Sequence, residues 1–438
     1  MVTENQPAIP TSGAIRALLG NGLTVLAEEV PGSRSISAGI WIKAGSRHDP
    51  PDAKGLAHII EHLLFKGTHT RTAEQIALDA ESVGAMINAA TGKETTFYYA
   101  DAPAEGLDVV LDVLVDLVRN PALRSSELER ERGVLLEEIR NRDDDPDQCA
   151  YERFFQELWS PAHPLGEPVL GDRRTVETVT RDTVAKHHAS CYAPSNCVAV
   201  VCGGISAERA IGRVAERFFA SRIPIKPSET ASVSAPRQEA PSMRIEKRFF
   251  EHQAGQTHIY VALPVPDIHH EDRFPLEVLN TVLGDGMSSR LFREVREKYG
   301  LAYSVTSYVS RYSDTGAWIL YAGVGPENAR QTTDLLHEQL VKLRRHGVET
   351  HEIDLAKAKL RGHLILSLET NGHRMARLGN AAALGRPLLS VDEVIHRLDT
   401  VSAVQIEQAI DLYVQPDHLN LTVIGPKEAC VAVDTIQR

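Results

Sequence analysis

The chain has 438 residues, 42% of them hydrophobic and 24% charged, with a formal net charge of −12. That length exceeds what one small core organises and predicts two or three domains, while the acidic balance argues against nucleic acid or anionic membrane as a partner. No uncharged apolar run reaches the ~18 residues of a membrane span, so none is expected.

Five cysteines, an odd number without a Cys-x-x-Cys pair, read as reduced thiols in a cytosol-like compartment. The opening Met-Val-Thr-Glu-Asn-Gln-Pro has neither the form of a secretory leader nor the arginine content of a transit peptide, which predicts a cytoplasmic chain. Strand-like runs cover Ser35–Ile42, Cys197–Cys202, Thr257–Leu263 and Leu419–Ile424, with long helical patterns between them. The combination predicts an α/β or α+β chain with sheets covered by helices.

The first helical run of interest is Gly55-Leu-Ala-His58-Ile-Ile-Glu61-His62-Leu-Leu-Phe65-Lys-Gly67-Thr68. On a helix His58 and His62 share one face, and Glu61 lies beside them. Two imidazoles at this spacing can bind one Zn²⁺, with the glutamate acting on the metal-bound water. Buried without partners among Leu56, Ile59, Ile60, Leu63 and Leu64, they would be costly. Met86–Thr91, the turn Gly92-Lys93 and Thr95–Tyr99 then read as a hairpin. If its first strand is a sheet edge beside the metal, an extended peptide could add to it through backbone hydrogen bonds.

A catalytic zinc needs a third protein ligand, and the helix predicted over residues 125–140 is its best source. Ser126 and Glu129 have capping-box form, and Asp145-Pro146 marks the stop. Leu128, Leu135 and Ile139 define the apolar face; Glu131 and Glu138 project toward its edge and Glu137 toward solvent. Glu138 is therefore the candidate ligand and Glu131 a carboxylate that could orient one. Either could equally be an ordinary solvated helix charge.

Residues 222–243, rich in Pro, Ser and Ala, read as a linker between domains at 1–221 and 244–438. The halves echo each other. Tyr99-Ala100 through Glu105, a long helix and Glu127–Glu131 match Tyr321-Ala322 through Glu327, a long helix and Glu352–Ala356. Glu131 then meets Ala356 and Glu138 meets His363, as in a duplicate that lost its metal ligands. The adjacent pairs His187-His188 and His269-His270 diverge on any regular element and are expected at the surface rather than on a metal. No phosphate-cradling glycine motif and no Gly-x-Ser-x-Gly elbow are present.

With His58-Ile-Ile-Glu61-His62, Glu131 and Glu138 in place, the chain resembles the pitrilysin/insulinase family of zinc peptidases, whose motif is the inverted zincin order. Within it, the likeness is to the short-chain, mitochondrial-processing-peptidase-like branch of bacterial type. Asn21–Val25, Ala44–Arg47, Phe65–Thr68, Gly84–Ala89, Glu131–Val134, Ser288–Phe292 and Gly300–Ser304 also fit, with one departure at His48-Asp49. The resemblance implies two homologous α+β domains, each a mostly antiparallel sheet covered by helices, pairing as a clamshell dimer. It implies one Zn²⁺ on His58, His62 and Glu138, Glu61 as general base, Glu131 as a supporting carboxylate of the catalytic set, and Asn88 and Ala89 as substrate contacts. Arg296 and Tyr303 match the family's arginine–tyrosine pair, donors to a substrate carbonyl and to the oxyanion formed on attack. The expected activity is that of a zinc endopeptidase on short or unfolded peptides, as a homodimer or as a heterodimer with a related subunit. The alternatives are a dedicated leader-processing protease and a non-catalytic structural subunit.

Overall fold

The computed structural model describes residues 9–11, 13–159, 163–220 and 240–434. These form two compact units, each an α+β body with its own sheet. The first is drawn from the described residues of Met1–Asn141, Glu167–Arg237 and Leu366–Val391. Its strands are β1 (Ile9–Thr11), β2 (Ala14–Leu18), β3 (Thr24–Glu29), β4 (Ser35–Ile42), β5 (Met86–Thr91), β6 (Thr96–Pro103) and β7 (Cys197–Gly203). They run in the order β1-β2-β3-β7-β4-β6-β5, antiparallel except for β3 with β7. Its helices are α1 (Leu56–Leu64), α2 (Ala73–Ser82), α3 (Leu107–Arg119), α4 (Ser125–Asp144), α6 (Arg173–Thr178), α7 (Arg181–Cys191), α8 (Ala207–Ala220) and α12 (Asn371–Ala383).

Strand periodicity explains the layering. Ile36, Ala38, Ile40 and Ile42 of β4 join Leu56, Ile59, Ile60 and Leu63 of α1 in one core. Trp41 points the other way and meets Met375 and Leu378 of α12. With both faces covered, β4 and β7 are buried along nearly their whole length, and β7 accordingly reads as a continuous apolar run. Trp41 Nε1–H donates to Asn380 Oδ1 at 3.0 Å. Arg374 Nη1 pairs with the buried Glu28 Oε1 at 2.6 Å.

The second unit comprises the described residues of Arg142–Gly166, Gln238–Ile365 and Asp392–Arg438. Its strands β8 (Lys247–Glu251), β9 (Thr257–Val265), β10 (Ala302–Arg311), β11 (Gly316–Val324) and β12 (Asn420–Gly425) run in the order β10-β11-β9-β12-β8, with only β12 and β8 parallel. Its helices are α5 (Pro146–Leu158), α9 (Arg273–Leu283), α10 (Ala329–His346), α11 (Thr350–Ser367), α13 (Val391–Asp399) and α14 (Ala403–Tyr413). The order β4, α1, α2, β5, β6, α3, α4 recurs as β9, α9, a π-helical segment at Phe292–Lys298, β10, β11, α10, α11. A recurring order of this kind is what a duplication would leave.

A single division between 1–221 and 244–438 does not describe these units, because each takes a segment from the other's half. The reason is packing. Phe154 of α5 stacks on Tyr260 of β9 with centroids 4.4 Å apart, and Glu157 pairs with Arg244 and Arg248. Helix α12 covers Trp41, and a Cβ at Gly379 would stand 2.5 Å from the indole. Residues 222–239 of the expected linker lie outside the described residues.

The entry to α1 is fixed by one side chain. Asp49 Oδ2 accepts the Gly55 N–H at 2.8 Å and Oδ1 accepts the Ala57 N–H at 2.9 Å, satisfying donors of the first turn. Gly55 itself has φ 85°, and a Cβ there would lie 2.6 Å from the Leu170 carbonyl oxygen. Asp49→Ala leaves two buried donors without an acceptor and is expected to destabilise the chain by about 2–3 kcal/mol. Urea unfolding followed by tryptophan fluorescence measures this; an unchanged midpoint would remove Asp49 as the anchor of α1.

Candidate metal centre

Two helices of the first unit build the site. In α1, Leu56, Ile59, Ile60, Leu63 and Leu64 are buried against the sheet, which turns His58, Glu61 and His62 to the opposite face. In α4, Leu128, Glu131, Leu135 and Ile139 are buried, Glu138 stands half-buried beside them, and Glu137 is exposed and paired with Arg140. The ligand atoms of His58, His62 and Glu138 all lie within 4.8 Å of one another. No other convergent set of three or more His, Cys, Asp or Glu side chains occurs among the described residues.

The distances show what such a set requires. Glu138 Oε2 lies 3.6 Å from His58 Nε2 and 3.5 Å from His62 Nε2, too far for a good hydrogen bond to either. This oxygen is buried and accepts no hydrogen bond. His58 is pushed down to about 4, first by burial and then by the neighbouring His62, so its ring is neutral at neutral pH. Electron-rich atoms facing one another with no shared proton fit a cation, and two imidazoles with one carboxylate suit zinc.

Glu131 is 3% exposed. Its Oε2 lies 3.3 Å from His62 Nδ1 and its Oε1 3.0 Å from Lys66 Nζ. With Nδ1 protonated and donating to Glu131, His62 turns the Nε2 lone pair toward Glu138. Glu61 Oε2 accepts a hydrogen bond from the Thr91 hydroxyl. Burial raises the Glu61 carboxyl above its ordinary range, opposed by that hydroxyl.

Thr91 ends β5, which lies at the edge of the sheet. On the same strand Asn88 is exposed, Ala89 is half-buried, and Asn88 Oδ1 accepts the Ala89 N–H at 2.8 Å. Arg296 and Tyr303 belong to the second unit and are brought together there. The Arg296 Nη1 donates to the Tyr303 carbonyl at 2.7 Å, and the guanidinium lies 5.3 Å from the Tyr303 ring. A register shift between Ala302 and Ser304 turns Tyr303 outward, 81% exposed on edge strand β10.

Three contacts escaped sequence reasoning. Lys66 follows His62 by four residues, a spacing that could have flagged it. Thr91 and Asp49 reach α1 from other elements and leave no local signal. The pair expected at the surface is instead packed: His187 Nε2 lies 3.8 Å from Asp49 Oδ1, and His188 Nε2 lies 3.0 Å from the Val118 carbonyl. His269 and His270 are exposed as expected. All five cysteines are free thiols. Among the described residues, no helix is long and apolar enough to cross a membrane.

The family model described as Insulinase (Peptidase family M16) matches residues 24–173, and one described as Peptidase M16 inactive domain matches residues 178–360. A protein of Mycobacterium leprae named as an uncharacterized zinc protease is 35% identical over 420 residues, 96% of this chain and 93% of that one. A Bacillus subtilis protein of the same description is 35% identical over 382 residues, 87% of this chain and 91% of the relative. Among solved structures, a protease from Helicobacter pylori superposes with TM-score 0.86 at 21% identity, covering 95% of this chain and 100% of that one. A peptidase M16 inactive domain from Pseudomonas fluorescens gives TM-score 0.85 at 21% identity, covering 97% and 98%. These two share the fold; the sequence matches along both halves carry the assignment, and the chain belongs to the pitrilysin/insulinase (M16) family.

Proposed function

We propose that the chain is a zinc endopeptidase that hydrolyses short or unfolded peptides, with His58, His62 and Glu138 holding one Zn²⁺. The observation that carries this reading is the convergence of those three ligand atoms within 4.8 Å, with Glu61 on the same helix face. When bound, the ion supplies a Lewis acid and lowers the pKa of a coordinated water toward about 7. Glu131, tied to Lys66 and His62, keeps the His62 ring in its ligating tautomer.

Glu61 accepts the proton of the attacking water and delivers it to the leaving amine. Its raised carboxyl makes it a weaker acid than a solvated glutamate and so a better match for that task near neutral pH. An extended peptide adds to the free edge of β5 at Asn88 and Ala89, where Asn88 turns away to release the Ala89 N–H. Arg296 and Tyr303, supplied by the other subunit of a homodimer across an enclosed chamber, donate to the peptide carbonyl oxygen as negative charge develops on it. A heterodimer with a related subunit is the other assembly that would complete the site.

The purified chain is expected to hold about one zinc, measured by atomic absorption. Glu138→Gln should lose metal and activity together, whereas Glu137→Gln, altered at an exposed position, should keep both. Full occupancy in Glu138→Gln would sink the ligand assignment.

Glu61→Gln separates binding from chemistry. It should retain zinc and peptide binding but lose roughly 10²–10⁴ in turnover of a quenched fluorescent peptide. Undiminished hydrolysis would remove Glu61 from the mechanism.

Subunit mixing tests the pairing. Glu61→Gln and Tyr303→Phe, each nearly inactive alone, combine in a mixed dimer to give one intact and one doubly damaged site. Random exchange is expected to restore about a quarter of wild-type activity. Verified exchange with no recovery would place the Arg–Tyr pair within its own chain or outside the reaction.

A further inference from the structure

The hydroxyl of Thr91 reaches Glu61 from a part of the fold that is itself pinned. Thr91 pairs with Thr96 across the hairpin, and the Gly92 N–H closes the turn on the Thr95 carbonyl at 2.8 Å. The turn is held from outside as well. The Ser46 and Arg47 N–H groups donate to the Gly92 and Lys93 carbonyls at 3.0 and 2.9 Å, and Lys93 Nζ donates to the Glu167 carbonyl. Arg47 and Glu94 pair at 2.6 Å with both side chains largely buried. A Cβ at Gly45 would stand 2.3 Å from the Gly92 carbonyl oxygen, so the approach of these segments is closed to any other residue. At the other end of the contact, Asp49 fixes the entry of α1. The bond from Thr91 to Glu61 therefore joins two anchored bodies, one carrying the carboxylate and the other being the edge strand.

A hydroxyl has one hydrogen to give, and the structure directs it to Oε2. Glu61 Oε1 has no hydrogen bond among the described residues. A glutamate on a helix face otherwise rotates about three torsions, and small misplacements of a reacting group cost large factors in rate. We propose that Thr91 is a positioning residue that holds Glu61 Oε2 and leaves Oε1 as the oxygen that receives the proton. The base is thereby set in register with the strand along which an extended peptide lies. This rests on the assignment of Glu61 as the proton acceptor in the proposed function. A residue kept only for the strand would be replaceable by any β-branched side chain.

The test uses the full-length, zinc-loaded chain as wild type, Thr91→Val and Thr91→Ser, with a quenched fluorescent peptide as substrate. Valine keeps the shape and β-branching and removes the hydroxyl; serine keeps the hydroxyl. Thr91→Val is expected to lower kcat by about 10- to 100-fold with KM, zinc content and melting temperature unchanged, while Thr91→Ser stays within about threefold of wild type. The ¹³C shift of the Glu61 carboxyl should move in Thr91→Val and hold in Thr91→Ser, a readout that needs no turnover. Wild-type kcat in Thr91→Val overturns the assignment, as does an equal loss in both variants or a loss that appears in KM. If wild type cleaves no peptide, the peptidase reading falls and this assignment falls with it. Wild-type cleavage beside an unimpaired Thr91→Val defeats the assignment alone.

Discussion

Three electron-pair donors, two imidazole nitrogens and a carboxylate oxygen, are made to face one another by two helices whose apolar sides fit the same core. At 3.5–3.6 Å the carboxylate shares no proper hydrogen bond with either ring, and burial keeps His58 neutral. Such a group is unfavourable unless a cation stands among its members, because the facing Glu138 oxygen is buried without a hydrogen-bond partner beside two ring nitrogens that share no proton with it. The surroundings compensate in a graded way. Glu131, almost fully buried, is balanced by Lys66 on one oxygen and engages His62 with the other. Asp49 holds the start of α1, and Leu135 and Ile139 hold α4 in the core on either side of Glu138. The convergence is a product of helix packing, and helix packing is a product of the apolar spacing that surrounds the polar residues.

The two units present different side chains on one architecture. Both run strand, helix, helical segment, hairpin, helix, helix, and in both the first hairpin strand, β5 or β10, ends up at the sheet edge. The first unit gathers imidazole and carboxylate side chains on its helices, a candidate metal site, and leaves an edge strand whose polar Asn88 is exposed. The second has Ala356 where Glu131 stands and presents donors instead, with Arg296 laid against an outward-turned Tyr303. Ala356 is buried as an ordinary core residue, while His363, at the position that pairs with Glu138, is exposed.

How much of this could be read from the chain follows from the range of each interaction. The strands Ser35–Ile42 and Thr257–Leu263 were legible because alternation and β-branching are local, and so was the shared face of His58, Glu61 and His62 because helical spacing is fixed. Glu131 and Glu138 were legible as a pair two turns apart, but only tertiary packing shows that one is buried and the other at the margin. Arg296 and Tyr303 had no signal of their own and came from family resemblance. Helix α12 was invisible as part of the first unit, since an amphipathic face does not name the sheet it will cover. Thr91 and Asp49 were missed for the same reason: each acts on α1 across a gap in sequence, through one hydrogen-bonding group that any surface threonine or aspartate also carries. His187 and His188 were misplaced because adjacency on a helix says that two side chains diverge, not that both directions lead inward.

An open sheet edge is a hazard that folded chains normally blunt, and the treatment of β5 bears on what the site selects. The strand is six residues long, carries exposed Met86 and Asn88, and covers the Ala89 N–H with the side chain of its own neighbour. That contact spans a single residue, and in the proposed binding mode it is the bond that gives way when a peptide carbonyl takes the place of the asparagine oxygen. Recognition through the main chain asks only that the guest be extended, which unfolded or short chains satisfy and folded domains do not. Under this reading side-chain preference has to arise away from β5.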